Sequence, residues 1–444
     1  MKKQFFFMLV CLSLTLNTFA FSGTGNGTED DPFVITTPAE LNEVRDNLTA
    51  HYQLGADIDL SDWIASNSPT YGWEPIGFTG TNEVTAVATF EGSLDGAGHV
   101  ISGLWINRPS NKFVGLFGQV TGTVSFRNLG VIIAEGKSVT GMENVGGIAG
   151  WLTNITGKDP HRTTVSNCFV SGNIVGEKAV GGIIGLANWN HPIVENCYST
   201  GLISSAETLG DGLGGLIGSS WGNVETNLTH SYSVASLVST AASGSAAGLM
   251  GSASASNADG IVLNIANNVA VNPTIDAQNP KRIIGYTKSG AHLNLSNYAY
   301  VGVLLNGLDE WLGYIDNDGG QDVSATDLSS VDFYTDLSWD MQDVWQLGNG
   351  TYQLPVLKGL PLDKQPLTAL DHLPAGNTII NATVESFKVV CHDGQLSFQN
   401  APADASIRVY DFAGRLVAEG TNVSSLNKGV YVVKANHLSA KFIK

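Results

Sequence analysis

The chain has 444 residues, with 22 Lys and Arg against 40 Asp and Glu, and a formal net charge of −18. Nucleic-acid binding needs a basic footprint along the phosphate backbone, and a chain with no Lys or Arg between Ala179 and Pro280 lacks one. Four cysteines over this length are too few for a disulfide framework.

Residues 1–20 read as a signal peptide. Lys2 and Lys3 make a basic start, Phe5 to Leu16 is mostly apolar, and Thr18-Phe-Ala20 supplies small residues for cleavage. The apolar run falls short of the roughly 20 residues that a spanning helix needs, and no other stretch reads as a membrane span. The expectation is a protein secreted or held at the outer-membrane cell surface.

Residues 21–60 read as an N-terminal cap. Thr37 stands as an N-cap, with Pro38 at the first helical position and Glu40 three residues after the cap. Leu41, Val44 and Leu48 then form one apolar stripe. Such a helix would cover the unpaired strand edge that a stack of strands exposes at its end.

Over about 90–305 the chain repeats. Phe113-Val-Gly-Leu-Phe-Gly118, Val145-Gly-Gly-Ile-Ala-Gly150, Val180-Gly-Gly-Ile-Ile-Gly185, Leu213-Gly-Gly-Leu-Ile-Gly218 and Ala246-Ala-Gly-Leu-Met-Gly251 are followed by a degraded Lys281-Arg-Ile-Ile-Gly285. The closing glycines lie 32, 35, 33, 33 and 34 residues apart. A period of that size indicates a solenoid. A second phrase answers each glycine stretch: Arg127-Asn-Leu, Ser166-Asn-Cys, Glu195-Asn-Cys, Thr229-His-Ser, Ala266-Asn-Asn and Ser296-Asn-Tyr. Asparagine and glycine between short Val- and Ile-rich runs mark corners between strands. The fold class expected is all-β: a right-handed parallel β-helix with an N-terminal helical cap, followed by a small antiparallel β-sandwich. Leu116, Ile148, Ile183, Leu216 and Leu249 should stack inward. Cys168 and Cys197, in matching contexts, read as two buried thiols in neighbouring coils, with a bridge between them as the alternative.

Candidate sites are sparse. The longest loop, Thr153 to Thr164, gathers Lys158, Asp159, His161 and Arg162, and insertions of this kind often build a binding face. Trp151, Trp189 and Trp221 follow successive glycine stretches and read as a ladder at coil edges; exposed, it would stack on sugars or peptides, and buried, it would be packing. No nucleophile elbow, phosphate loop or HExxH is present. Asp57 and Asp59 fall on one side of a strand and are candidates for a carboxylate pair, although capping and turn roles explain them as well. Asp95 reads as a turn residue. Asp316, Asp318 and Asp322, spaced by glycines, resemble a loop for structural calcium outside the EF-hand phase; no other cofactor is expected.

A closing segment occupies about 306–360, a Pro-containing linker 361–376, and a terminal module 377–444. In the module, Ile407 and Val409, and again Val430 and Val432, alternate around Ala-Gly and Lys-Gly turns, which reads as antiparallel strands.

The alternation of Val-Gly-Gly-Ile-Ile-Gly with Asn-Cys-Tyr-Ser resembles GLUG-repeat proteins, bacterial surface or secreted proteins of β-helical type. The resemblance covers 21–360, including the lead-in phrases Tyr52-Gln-Leu-Gly-Ala-Asp-Ile-Asp-Leu60 and Trp73-Glu-Pro-Ile-Gly77 and the closing Tyr352-Gln-Leu-Pro-Val-Leu357. Ile407-Arg-Val-Tyr-Asp-Phe-Ala-Gly-Arg-Leu-Val417 and Leu426-Asn-Lys-Gly-Val-Tyr-Val-Val433 resemble a type IX secretion C-terminal sorting domain. The two resemblances imply a protein of a Bacteroidetes-type bacterium, handled by the type IX secretion machinery. The function expected is adhesin or ligand-binding solenoid, non-enzymatic, with a glycan or a host or bacterial surface protein as partner. Its rivals are a polysaccharide lyase or glycosidase on the same scaffold, and a passive surface spacer.

Overall fold

The computed structural model describes residues 21–78, 89–154, 161–206, 212–222, 225–240, 244–255, 260–288, 291–307, 319–348, 354–366, 388–392, 395–399, 407–410, 416–426, 430–435 and 438–443. The signal segment 1–20 and most of the linker lie outside them. The chain divides into two compact units, Met1–Pro374 and Ala375–Lys444.

The first unit is a parallel β-solenoid. One coil runs through the strands Thr163–Ser166, Phe169–Ser171, Asn173–Gly176, Lys178–Gly181 and Ile184–Asn188, after which Ile193–Glu195 begins the next. Each strand pairs in parallel with its counterparts above and below, so that Val165 meets Val194, Ile174 meets Ile203, and Ile184 meets Ile217. The stacks form parallel sheets of 14, 7, 6 and 5 strands, and the six-stranded one takes one strand from each repeat. Leu116, Ile148, Ile183, Leu216 and Leu249 are fully buried in one continuous core.

Two local devices make the coil. The corner phrase places Asn128, Asn167, Asn196, His230 and Asn267 at φ between 50° and 60°, the left-handed region that asparagine tolerates better than most residues. The glycine phrase serves another end. A Cβ on Gly182 would collide with the Gly215 carbonyl oxygen, one on Gly215 with that of Gly248, and one on Gly248 with that of Arg282. These glycines stand one above the other, and each leaves room for the main chain of the next coil. Arg282 occupies the same position in the last repeat, in register above Gly248. Its side chain turns to Asp322, at 2.9 Å, and to the Gly320 carbonyl, also at 2.9 Å. At the degraded repeat the glycine is thus replaced by a side chain that bonds to the segment Gly320–Asp322, whose strand Gln321–Val323 pairs on Tyr298–Tyr300.

The N-terminal end is covered as its sequence requires. Thr37 and Glu40 form both bonds of a capping box on the helix Pro38–Glu43. Leu41 and Val44 are buried beneath it and Leu48 partly so. Past the solenoid, the closing segment turns back along the corner face. There Phe169, Tyr198 and Tyr232 stack coil on coil, with ring centroids 5.2 and 4.9 Å apart. Trp339 and Trp345 pack over them. The Tyr232 hydroxyl donates to the Pro355 carbonyl, and the Tyr198 hydroxyl to Gln365 Oε1.

Cys168 and Cys197 are free and fully buried. Burial pushes the Cys197 thiol well above its ordinary pKa, and Cys168 beside it adds to the effect. The second unit holds the antiparallel pair Lys388–His392 and Gln395–Gln399, and a four-stranded antiparallel sheet from Ile407–Tyr410, Leu416–Glu419, Val430–Ala435 and Leu438–Ile443. The valine facing Val409 across that sheet is Val433. Val409 and Val433 share a small core with Leu396 and Val423.

Gly215→Ala should lower the free energy of unfolding by about 3 kcal/mol or more, beyond ordinary overpacking because the obstacle is main chain. Gly359→Ala, with open space around the new Cβ, should stay within about 0.5 kcal/mol; urea titrations followed by circular dichroism compare the two. In a Cys391→Ser chain expressed without residues 1–20, the thiols of Cys168 and Cys197 should resist a thiol reagent at pH 8 until the chain unfolds. Reaction in the native state would contradict the burial described.

Candidate functional site

The corner between the six-stranded and the 14-stranded sheets carries an exposed tryptophan. Trp189 sits at φ 54° and is 41% exposed. A bulky residue in the left-handed region is a true outlier, and strain of that kind gathers at functional positions. Its neighbours hold it there. The Trp189 amide donates to the Trp221 carbonyl at 3.0 Å. Asn190, fully buried, exchanges hydrogen bonds with Thr163 in the coil below, through Oδ1 to its amide and Nδ2 to its hydroxyl, both at 3.1 Å. The Trp221 ring meets Trp189 edge-on with centroids 5.9 Å apart, and Gly222 leaves the space that the Trp189 indole occupies. The result is a rigid indole presented to solvent.

The three tryptophans do not form one ladder. Trp151 pairs in register with Leu186, whereas Trp221 pairs with Asn188, two positions on. Trp151 is 5% exposed and stacks on Phe113 at 4.7 Å. It is a packing residue and offers no face to a ligand, which corrects its place among the candidates.

The charged loop splits in the same way. Lys158 and Asp159 lie outside the described residues. His161 Nδ1 accepts the Gly122 amide at 2.7 Å, which ties its imidazole to the coil below. Arg162 reaches Glu225 at 3.6 Å across two coils, and Glu225 accepts in turn from Asn264. This polar network occupies the same corner as the tryptophan pair, with Arg162 40% exposed. Sequence spacing did not single out Glu225 or Asn190. Their positions beside Trp221 and Trp189 were visible in the chain, but their partners come from other coils.

The carboxylates do separate work. Asp57 accepts from Val100 and meets His99 Nδ1, each at 3.1 Å. Asp59 accepts the amide of Ser61, the first residue of the helix Ser61–Asn67, at 2.9 Å, and the Ser61 hydroxyl and amide hold its carboxyl below the ordinary range. A general acid needs the opposite shift. Asp95 is the turn residue expected, accepting from Ala97, Arg127 and Asn128. Sequence reasoning did not notice Ser93, whose hydroxyl lies 2.8 Å from His51 Nδ1. Among the described residues no carboxylate is shown on that imidazole, so the pair stops short of a triad.

Asp316 and Asp318 lie outside the described residues. Asp322 is engaged by the buried Arg282, whose burial lowers its guanidinium pKa to about 10 against the pull of that carboxylate. Among the described residues no group of three or more His, Cys, Asp or Glu is placed to hold a metal ion. No helix among them is long and apolar enough to cross a membrane.

Fold and flank together define a parallel β-solenoid protein. A solved structure of a candidate immunoglobulin A1 protease from Bacteroides ovatus is similar to it, with a TM-score of 0.55 and 23% identity over 76% of this chain and 94% of that one. At that identity the likeness shows the fold alone. Among curated proteins, Halomucin of Haloquadratum walsbyi is 36% identical over 177 residues, which is 39% of this chain and 2% of that protein. A candidate Gly-rich membrane protein of Evansella cellulosilytica is 37% identical over 135 residues, 30% of this chain and 14% of its own. The chain thus spans only a small share of the curated relatives it matches. No family model matches it.

Trp189→Gly, which removes the left-handed strain, should leave stability within about 1 kcal/mol of the parent. Trp151→Ala should cost about 3–5 kcal/mol, as truncation of a buried tryptophan does. Matched urea denaturation curves distinguish a presented indole from a packed one.

Proposed function

We propose that this chain is a secreted or surface-displayed binding solenoid, an adhesin rather than an enzyme. The observation that carries the reading is the Trp189–Trp221 corner, where a strained, exposed indole is braced by the buried Asn190 and the half-buried Trp221. Aromatic faces fixed on a rigid scaffold suit stacking on the C–H face of a sugar ring or on a peptide, so a glycan or glycoprotein is the favoured ligand. The GLUG-like repeats and the sorting-like tail support display outside the cell, with the type IX machinery acting through residues 377–444. The relatives described as a mucin-named and a membrane protein agree with that location. No resident cofactor is part of this reading.

The full chain should bind saturably to a subset of a glycan and glycoprotein array. Immunoglobulin A1 belongs on that array because the solved structural neighbour is described by it. Binding should fall by about tenfold or more when Trp189→Gly and Trp221→Ala are combined, a loss of about 1.4 kcal/mol or more. Release of reducing ends from a polysaccharide panel would replace this reading with the polysaccharide-degrading enzyme. Silence on the whole array would leave the passive spacer.

A further inference from the structure

A cleft of about 390 Å³ lies between the closing segment and the solenoid corners. Asn128 and Asn167 form part of its solenoid wall, and Asp343, Val344, Leu357 and Leu360 part of the wall facing them. Its position follows from the aromatic row. Phe169, Tyr198 and Tyr232 fill the space beneath the segment, but the register partners before Phe169 are Gly130 and Val100. The cleft opens at the coils of Asn128 and Asn167, where that row of rings runs out.

The polar wall is a ladder with one rung missing. Asn167 Nδ2 donates to Asn128 Oδ1 at 3.0 Å, and Asn128 Nδ2 to Asp95 Oδ1 at 3.0 Å. At the next corner up, the Asn196 oxygen accepts from the Trp345 indole at 3.1 Å. Asn167 Oδ1 is buried with no hydrogen-bond partner. A buried acceptor without a donor is a standing demand for one. Across the cleft, Asp343 is exposed and adds a second acceptor. No Lys or Arg is among the described lining residues, and Val344, Leu357 and Leu360 supply an aliphatic wall.

We propose that this cleft is a second binding site, one that takes a neutral sugar residue with Asn167 and Asp343 accepting from its hydroxyls. A pyranose presents hydroxyl donors around its rim and C–H groups on its faces, which matches two acceptors beside an aliphatic wall. The volume lies near the lower end of the range for small-molecule pockets, roughly 300–1,000 Å³, and suits a mono- or disaccharide. Uronic and sialic acids would bring a carboxylate against Asp343 in a chain of net charge −18 and are excluded. The choice of sugars as ligand rests on the glycan-binding reading above, but the site shares no residue with the tryptophan corner.

The test is saturation-transfer NMR on the full chain with neutral methyl glycosides and disaccharides, their uronate and sialylated counterparts, and a simple primary amine. Asn167→Gly keeps the left-handed corner while deleting the amide, and Asp343→Ala alters an exposed side chain; both should fold. Neutral sugars should give transfer, anionic ones none, and each variant should weaken affinity about tenfold, the scale of one lost hydrogen bond to a buried or charged partner. Trp189→Gly should leave this signal in place. Loss with Trp189→Gly but not with the cleft variants would overturn the cleft and keep the tryptophan reading. Loss with the cleft variants alone, with no tryptophan-dependent binding on the array, would keep the cleft and overturn the tryptophan corner. Transfer from the amine alone, from anionic sugars equally, or from none of the sugars would overturn the assignment.

Discussion

Main chain touching main chain, with no side chain between, is the contact on which this solenoid depends. At Gly182, Gly215 and Gly248 each carbonyl oxygen occupies the space where a Cβ of the coil beneath would stand. The contact brings successive coils close enough for their strands to pair in register, and that pairing aligns Ile148, Ile183, Leu216 and Leu249 in one buried column. A hydrophobic core of this kind is additive along the stack, since each repeat packs only on its neighbours. The glycine contact is what makes the addition possible, and its failure at any level would separate the coils on both sides.

The polar corners follow from the same geometry. A chain that must turn at the same height in every coil places one residue per repeat at positive φ, and asparagine supplies both the conformation and an amide that can reach the next coil. Where the amides bond one another, the corner is self-contained, as at Asp95, Asn128 and Asn167. At the next corner the Asn196 oxygen accepts from an indole of the closing segment, and the Asn167 oxygen below it has no partner. The binding surfaces proposed here arise at such departures from the repeat, at Trp189 on one corner and Asn167 on another.

What the sequence made legible was whatever repeats or caps locally. The period of the glycines, the inward leucines and isoleucines, the corner asparagines and the Thr37–Glu40 capping box are each set by neighbours within one coil or one helical turn. The candidate site was legible only in part. Trp189 and Trp151 look alike in the chain, each shortly after a glycine stretch. Their opposite fates depend on whether Phe113 or solvent lies beside the ring, and Phe113 comes from another coil. Asp322 read as a calcium ligand because its partner Arg282 stands 40 residues away, and Arg282 itself read only as decay of the repeat. The cleft had no signature at all: its walls meet because the segment after the solenoid folds back over coils laid down some two hundred residues earlier.

That returning segment also measures the solenoid. Its anchors are spread over the stack: Trp339 on Asn267, Pro355 on Tyr232, Trp345 on Asn196, and Gly359 against Gly98. A chain of fixed length tied to successive coils works as a ruler, since parallel strands stack at about 4.8 Å. Duplicating or losing one coil would shift every anchor below the change by one step and leave each indole opposite the wrong corner. A repeat array is free to vary in number only while nothing spans it. Here the number of coils is part of the fold, and an evolutionary change in one demands a matching change in the other.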